Sequence, residues 1–458
     1  MDTSLFIFRR DFRIKDNTGL IEACKNSKAV YPIFIFTPEQ ISNNTFKSSN
    51  AVQFMIQSLK ELNKELDNKL NLFYGNIEDV ITEIIKNGKI NAIYTNTDYT
   101  PYAIKRDEKL DNLSKKNNIK FLALDDILVF KPGAVLNNSG TFYQKFTPFY
   151  RKCMTMNLPK VNNYSLSKNK LSKIGSSKYL IDWKETDKYY TYNDALNVDG
   201  GRENALKILK DIKQFKTYED TRNLLKLETT QLSGYIKFGC ISIREVLNVF
   251  IKEFGKGSPL VRQLIWRDFY YHLGNGFLDR FGKSTKIKYD NIKWLKNETN
   301  LEKWKRGETG YPVIDAAMMQ INTTGYMHNR ARMLVASFLI KNLGIDWREG
   351  EKYFAQTLLD YDVLVNQGNW QWVSGSGADS QQYIRVFNPW IQSERYDKEC
   401  EYIKKWLPSL KDIPAKHLHQ WNIYHKEYDL KKINYVKPII DYKDSKEKVM
   451  KLYKNALQ

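Results

Sequence analysis

The sequence predicts a chain in two folded parts. Residues 1–130 read as an α/β domain with a parallel sheet, 131–203 as a connector, and 204–458 as a large all-α domain. Two patterns carry this reading. Apolar runs of strand length alternate with helix-period segments in the first part, and helical periodicity alone governs the last. The strand runs are Leu5–Phe8, Val30–Phe36, Leu72–Tyr74, Ala92–Tyr94 and Phe121–Leu124. Between them, Val52–Leu66 and Ile77–Ile85 repeat their apolar residues at the helical period, the spacing of βαβ units. No GxGxxG follows the first run, so a dinucleotide fingerprint is absent there and a scaffold role is as well supported as ligand binding.

The connector lacks periodicity. It carries Pro132-Gly133, Asn137-Asn138-Ser139-Gly140 and the Ser/Lys-rich stretch Ser165–Lys178, which read as chain draped over a surface. Helical patterns then follow at Glu203–Phe215, Ile243–Phe254, Pro259–Leu273, Tyr311–Thr323, Met327–Asn342 and Trp347–Leu359. The tail after Trp421 is lysine-rich and weakly patterned.

Composition narrows the function classes. The chain has 458 residues, and no apolar run approaches the ~20 residues of a membrane span, so no membrane partner is expected. The N-terminal run ends in Arg9-Arg10-Asp11 and reads as a buried strand rather than a signal peptide. Cys24, Cys153, Cys240 and Cys400 stand apart without CxxC spacing, which favours a reducing, intracellular home. His417 and His419 read as a surface pair, and no metal is assigned. A formal net charge of +20 favours a polyanion, nucleic acid being the usual one; lysine scattered over every face by AT-rich coding is the bland alternative. The 10 Trp, 29 Tyr and 23 Phe add stacking surfaces beside those cations.

Four segments concentrate chemistry. Asp360, Asp362, Asn366, Trp370 and Trp372 put two carboxylates, an amide and two indoles into one short run, more hydrogen-bonding capacity than a core requires. Thr229-Thr230-Gln231-Leu232-Ser233 reads alone as a helix N-cap, with anion binding as the sharper alternative, and Tyr218 and Arg222 lie in a polar loop upstream. Gln263, Trp266 and Tyr270 share a helix face beside Arg267; burying that amide and guanidinium requires partners. Asn329 and Met333 share another face beside Arg330 and Arg332, a set suited to a planar heteroaromatic with exocyclic carbonyls.

At these residues the chain resembles the photolyase/cryptochrome family. The resemblance rests on Phe8–Asn17, Leu264–Tyr270, Thr309–Met318, Tyr326–Met333, Ile345–Glu351 and Asp360–Trp372, and it spans nearly the whole chain in family order. It implies a Rossmann-like α/β domain, a linker and a helical domain that holds U-shaped FAD non-covalently. Tyr218, Thr229, Thr230, Gln231, Leu232, Ser233, Arg267, Arg332, Asp360, Asp362 and Asn366 then fall on cofactor-contacting positions. Arg332 is expected to pair with Asp360, and Asn366 to lie near flavin N5. Trp370, Trp347 and Trp294 match the family's electron-transfer triad.

The same resemblance implies a damaged-DNA face. Gln263, Trp266, Asn329, Arg330, Met333 and Trp372 match contacts to a cyclobutane pyrimidine dimer, with Arg222, Arg385 and Gln392 beside them on UV-damaged DNA. Members acting on (6-4) lesions carry histidines at the positions of Asn329 and Met333, and DASH-type members usually carry Tyr at Trp372, so the closest implied class is the class I cyclobutane dimer photolyase. Gln263 departs from the Glu of the best-known dimer photolyases. DASH-type or (6-4)-type repair and a signalling cryptochrome are the alternatives. The segment Tyr99–Asp107 lacks, at the expected place, the acidic residue that folate-binding members usually carry, leaving folate, deazaflavin or no antenna. A monomer is expected.

Overall fold

The computed structural model describes residues 1–380, 382 and 384–458. Its N-terminal domain is built on β1 (Thr3–Ile7), α1 (Thr18–Asn26), β2 (Ala29–Phe36), α2 (Ser49–Glu65), β3 (Asn71–Tyr74), α3 (Ile77–Asn87), β4 (Ala92–Asn96), α4 (Pro101–Lys116) and β5 (Lys120–Leu124). The five strands form one wholly parallel sheet in the order β3-β2-β1-β4-β5. Helices cover both faces, so β1 and β2 are apolar almost without alternation, while β5 at the edge keeps two exposed residues. Side-chain caps fix the helix entries: Asn17, Ser48, Asn76 and Thr100 each accept a backbone N–H in the first turn.

The connector is less irregular than its composition suggests. It contains α5 (Phe146–Thr155), whose Phe146, Phe149 and Cys153 are buried. Pro148 lies in the first turn, where its missing N–H has no helical partner to lose.

The helical domain uses α6 (Arg202–Lys210), α7 (Ser233–Lys237), α8 (Ile243–Phe254), α9 (Pro259–Gly276), α10 (Pro312–Thr324), α11 (Asn329–Lys341), α12 (Trp347–Thr357), α13 (Val363–Ser374), α14 (Pro389–Tyr396) and α15 (Tyr442–Leu457), with shorter turns between. The tail is therefore a docked helix, with Val449 and Tyr453 buried. His419 is buried, bonded to Ser393 Oγ at 2.8 Å and to the Lys398 carbonyl at 2.9 Å, which corrects the surface-pair reading. Its neighbour His417 stacks on Tyr424 at 3.9 Å. Among the described residues no helix is long and apolar enough to cross a membrane.

Buried charge joins the two domains. Arg244 on α8 bonds Asp16 and Asp126 at 2.7 Å each, and Arg13 meets the other Asp126 oxygen at 2.7 Å. The end of the α/β domain is pinned to α9: Val129 and Phe130 donate backbone N–H groups to Asp268, and His272 Nε2 pairs with the Phe130 carbonyl.

Candidate functional site

A buried polar cluster lies where α7, α9, α11 and α13 meet the carboxyl edge of the sheet. Asp360 is buried; Ser233 Oγ donates to it at 2.6 Å and Arg332 Nη2 to both its oxygens at 3.1 and 2.9 Å. Arg332 also donates to the Met327 carbonyl and lies over the Tyr326 ring, whose hydroxyl is 3.4 Å from Thr229 Oγ1. Ser233, Asp360 and Arg332 thus share one frame, with Thr229 at its margin.

The Thr229–Ser233 run does not cap a helix. Leu232 occupies the N-cap position of α7 without a side-chain bond, and Gln231 takes a left-handed conformation (φ 53°). Thr230 and Gln231 are half-buried nearby, as is Tyr218 on the short helical turn Tyr218–Thr221.

Asp362 breaks the local rule in the same way. It is the N-cap of α13, a position where Asp ordinarily accepts a backbone N–H, yet its side chain makes no such bond. Instead Tyr271 donates to its oxygens at 3.0 and 2.8 Å, Arg10 donates at 2.6 Å, and Arg267 stands at 3.8 Å. Burial pushes the Asp362 carboxyl up, but Arg10, Arg267 and the Tyr271 hydroxyl together hold it below the usual carboxylate range. One turn along α13, Asn366 Nδ2 bonds Glu351 Oε1 at 3.2 Å, and Tyr361 donates to the same oxygen at 2.9 Å. Burial raises the Glu351 carboxyl against both hydrogen bonds.

Two cationic groups in this cluster are not matched by a hydrogen-bonded carboxylate among the described residues. Arg267 Nη2 is buried without a hydrogen bond among the described residues. Lys237 lies on α7 one turn after Ser233, its ammonium 3.5 Å from the Phe238 ring centroid. Burial and then the Arg10 charge lower its pKa to about 7. Unmatched cations beside fixed carboxylates suit an anionic dinucleotide with a polar ring.

The second group faces α9 and α11. The Trp266 ring stacks on Phe146 of α5 at 3.6 Å and 7°, and Tyr270 lies 5.8 Å away. Gln263 is half-buried, and its amide has no hydrogen-bond partner among the described residues. His328 caps α11 by accepting the Arg330 N–H; burial and the nearby arginines lower its pKa to about 4, so the neutral ring can accept. Asn329 is then exposed at the first helical position, with Met333 one turn on and half-buried. Trp372 is half-buried against the helical core.

Arg330 bonds Asn223 at 2.7 Å and lies over Tyr396. With Arg385, Gln392 and Arg395 it lines a cleft of about 330 Å³. Gln392 Oε1 and Arg222 Nε are buried without partners among the described residues, and Arg222 Nη2 is 4.0 Å from Glu219.

The third group is aromatic. Trp370 and Trp347 are buried, and Trp294 is half-buried. Trp370 meets Phe354 at 5.0 Å and Trp304 at 6.4 Å, and Trp294 meets Tyr453 at 5.7 Å. Trp370 is seated against Gly350, where an added Cβ would come within 2.1 Å of its ring. Gly350→Ala is therefore expected to displace the indole and destabilise the protein by about 1–3 kcal/mol, read as a lower urea midpoint at unchanged m value.

Sequence reasoning missed Arg10, Lys237, Tyr271, Glu351, Phe146 and Arg395. Arg10 and Glu351 carried a signal, as parts of the motifs Phe8–Asn17 and Ile345–Glu351, but nothing in those motifs placed them at Asp362 and Asn366. In the α/β domain, Arg9 and Arg106 both bond Asp107, and Ala103 is buried.

Comparison with known proteins adds three findings. Residues 4–164 match the family described as DNA photolyase, and residues 260–455 match the FAD binding domain of DNA photolyase. A deoxyribodipyrimidine photo-lyase of Buchnera aphidicola subsp. Acyrthosiphon pisum (strain APS) is 36% identical, covering 100% of this chain and 98% of its own. Among solved structures, an archaeal photolyase from Sulfolobus tokodaii with two FAD molecules matches at 38% identity and TM-score 0.88, covering 99% and 100% of the two chains. A cryptochrome of Synechocystis sp. PCC6803 matches at 26% identity and TM-score 0.89, covering 99% of each.

Proposed function

Since this chain belongs to the DNA photolyase family, we propose that it repairs UV-damaged DNA by splitting cyclobutane pyrimidine dimers with light and bound FAD. The observation that supports this best is the pair of buried carboxylates, Asp360 and Asp362, each clamped by arginine beside Arg267, whose Nη2 makes no hydrogen bond among the described residues, and the Lys237 ammonium. That donor and acceptor set fits FAD, which when bound supplies light absorption and one-electron chemistry.

The chain's own residues then divide the work. Ser233, Arg267 and Lys237 hold the anionic part of the cofactor, with Tyr218, Thr229, Thr230, Gln231 and Leu232 around it. Asp360, oriented by Arg332, and Asp362 fix the ring. Asn366 has its Nδ2 committed to Glu351, so its Oδ1 is the atom it presents. Trp370, Trp347 and Trp294 carry electrons inward from the surface. Trp347 Nε1 has no hydrogen-bond acceptor among the described residues, so a hole there is not trapped by proton loss and moves on to half-exposed Trp294.

On the DNA side, Arg222, Arg330 and Arg385 meet phosphates, with Gln392 beside them, while the damaged bases flip out of the duplex. Photolyases as a class act on an extruded base, because the atoms they work on are out of reach inside the stack. That motion lets a dimer reach Trp266, Trp372, Asn329 and Met333. Gln263 can donate and accept a hydrogen bond to the lesion but cannot carry a proton.

The direct test is blue-light incubation of the reduced, flavin-loaded protein with dimer-containing and (6-4)-containing oligonucleotides, single- and double-stranded. Splitting of the dimer supports the reading; binding without splitting supports the second reading, a signalling cryptochrome without repair, the Synechocystis neighbour being a cryptochrome by name. Gln263→Glu is expected to raise repair yield per absorbed photon, and an unchanged yield removes the amide as the limit.

A further inference from the structure

The α/β domain reaches into the site described above through one side chain. Arg10 lies just beyond β1 at the carboxyl edge of the sheet. Its Nη2 donates to Asp362 at 2.6 Å, its Nε to the Lys237 carbonyl at 3.0 Å, and its Nη1 stands 3.5 Å from Asp98. The side chains of Arg10 and Asp362 are only 16% and 8% exposed, so water screens the pair weakly. One guanidinium thus spans the loop after β1, the loop after β4, the end of α7 and the start of α13.

We propose that Arg10 is a positioning residue for the cofactor, acting through Asp362 so that FAD retention is coupled to docking of the α/β domain. This rests on the FAD reading above. A buried carboxylate keeps its charge and orientation only while a cation faces it, and Arg267 at 3.8 Å is too distant to replace a hydrogen bond. The other groups facing Asp362 are the Tyr271 hydroxyl, Lys237, and Asp98 behind Arg10; Asp360 is two residues away and engaged with Arg332.

Without Arg10, burial dominates and the Asp362 carboxyl titrates at higher pH. FAD affinity should then fall as pH drops through the mildly acidic range, whereas the wild type should lose none there. Lys237 titrates in the opposite sense, losing charge as pH rises, so it cannot produce a loss on the acid side.

The experiment is FAD titration of apo-protein by flavin fluorescence for wild type, Arg10→Gln, Asp362→Asn and the double variant, across pH. Arg10→Gln is expected to weaken FAD by roughly 5- to 150-fold, the usual span of a coupling between sites. In the Asp362→Asn background the same change should add little, and the acid-side loss should vanish. Additive losses, or a pH-independent loss, would overturn the proposal. A wild type that takes up no FAD would instead strike down the FAD reading. If Arg10→Gln fails to fold, Arg10→Lys carries the same comparison; it keeps the charge and should hold the wild-type pH profile at reduced affinity.

Discussion

Trp266→Ala will weaken binding to dimer-containing DNA about 5- to 150-fold, the equivalent of one lost base–aromatic stack at about 1–3 kcal/mol. Binding to undamaged DNA should hardly change. The reason is a division of labour. On the proposed reading Arg222, Arg385 and Arg395 offer charge to phosphates and read no lesion, whereas an indole platform acts only on bases turned out of the stack. Trp266 suits that task because one face is already covered: Phe146 lies on it at 3.6 Å and nearly parallel. Only the opposite face and an edge are left for a ligand, and the backing ring holds the indole in one orientation. Flavin content should survive, since the frame around Asp360 and Asp362 does not include Trp266. Competition mobility shifts against undamaged duplex measure the ratio directly. Equal losses on both DNAs, or loss of flavin, would mean that Trp266 is a packing residue. Trp266→Phe, which keeps a platform, should retain most of the discrimination.

What was legible in the sequence depended on whether the signal was local. The five strand runs and the long amphipathic helices each bury a continuous or periodic apolar set, and Ile243–Phe254 falls where its pattern puts it. The order β3-β2-β1-β4-β5 is a tertiary fact that periodicity does not encode. Helix α5 escaped because Pro148 and flanking turn residues outweigh a short apolar repeat, although proline is harmless in a first turn. Helix α15 escaped because it buries Val449 and Tyr453 and is otherwise largely polar. The site divides the same way. Asp360, Asp362 and Asn366 stand out as an unusual polar run; Arg10 and Glu351 do not, because an arginine after a strand and a glutamate on a helix look solvated until a distant partner appears. Asp362 was legible as a residue but not in its geometry, since by local rule alone it would cap α13.

Arg244→Met will cost about 3–5 kcal/mol at neutral pH, because it leaves buried Asp16 without a cation and buried Asp126 with Arg13 alone, rather than removing a balanced set. Arg244 is the hinge of the interdomain network: Nε meets Asp16, Nη2 meets Asp126, and Nη1 meets the Asp126 carbonyl. Asp16 and Asp126 side chains are 2% and 0% exposed, so water cannot replace the lost charge. Burial pushes the Asp126 carboxyl up, but Arg13 and Arg244 together hold it well below its ordinary value of 3.8. A depressed carboxyl contributes stability that is fully present above that ordinary value and is lost as pH falls towards the folded one. The gap between wild type and Arg244→Met should therefore be widest near neutrality and narrow in acid, as followed by urea unfolding at a series of pH values. A gap below about 1 kcal/mol, the worth of an exposed pair, or one that does not change with pH, would show that the network is solvated rather than buried. The functional consequence follows from Arg10. If the α/β domain helps to hold the cofactor, loosening it at Arg244 should also lower FAD affinity, although Arg244 touches none of the cofactor-facing residues. That remote loss should be recovered by raising FAD concentration, because ligand binding to the docked state stabilises it by mass action.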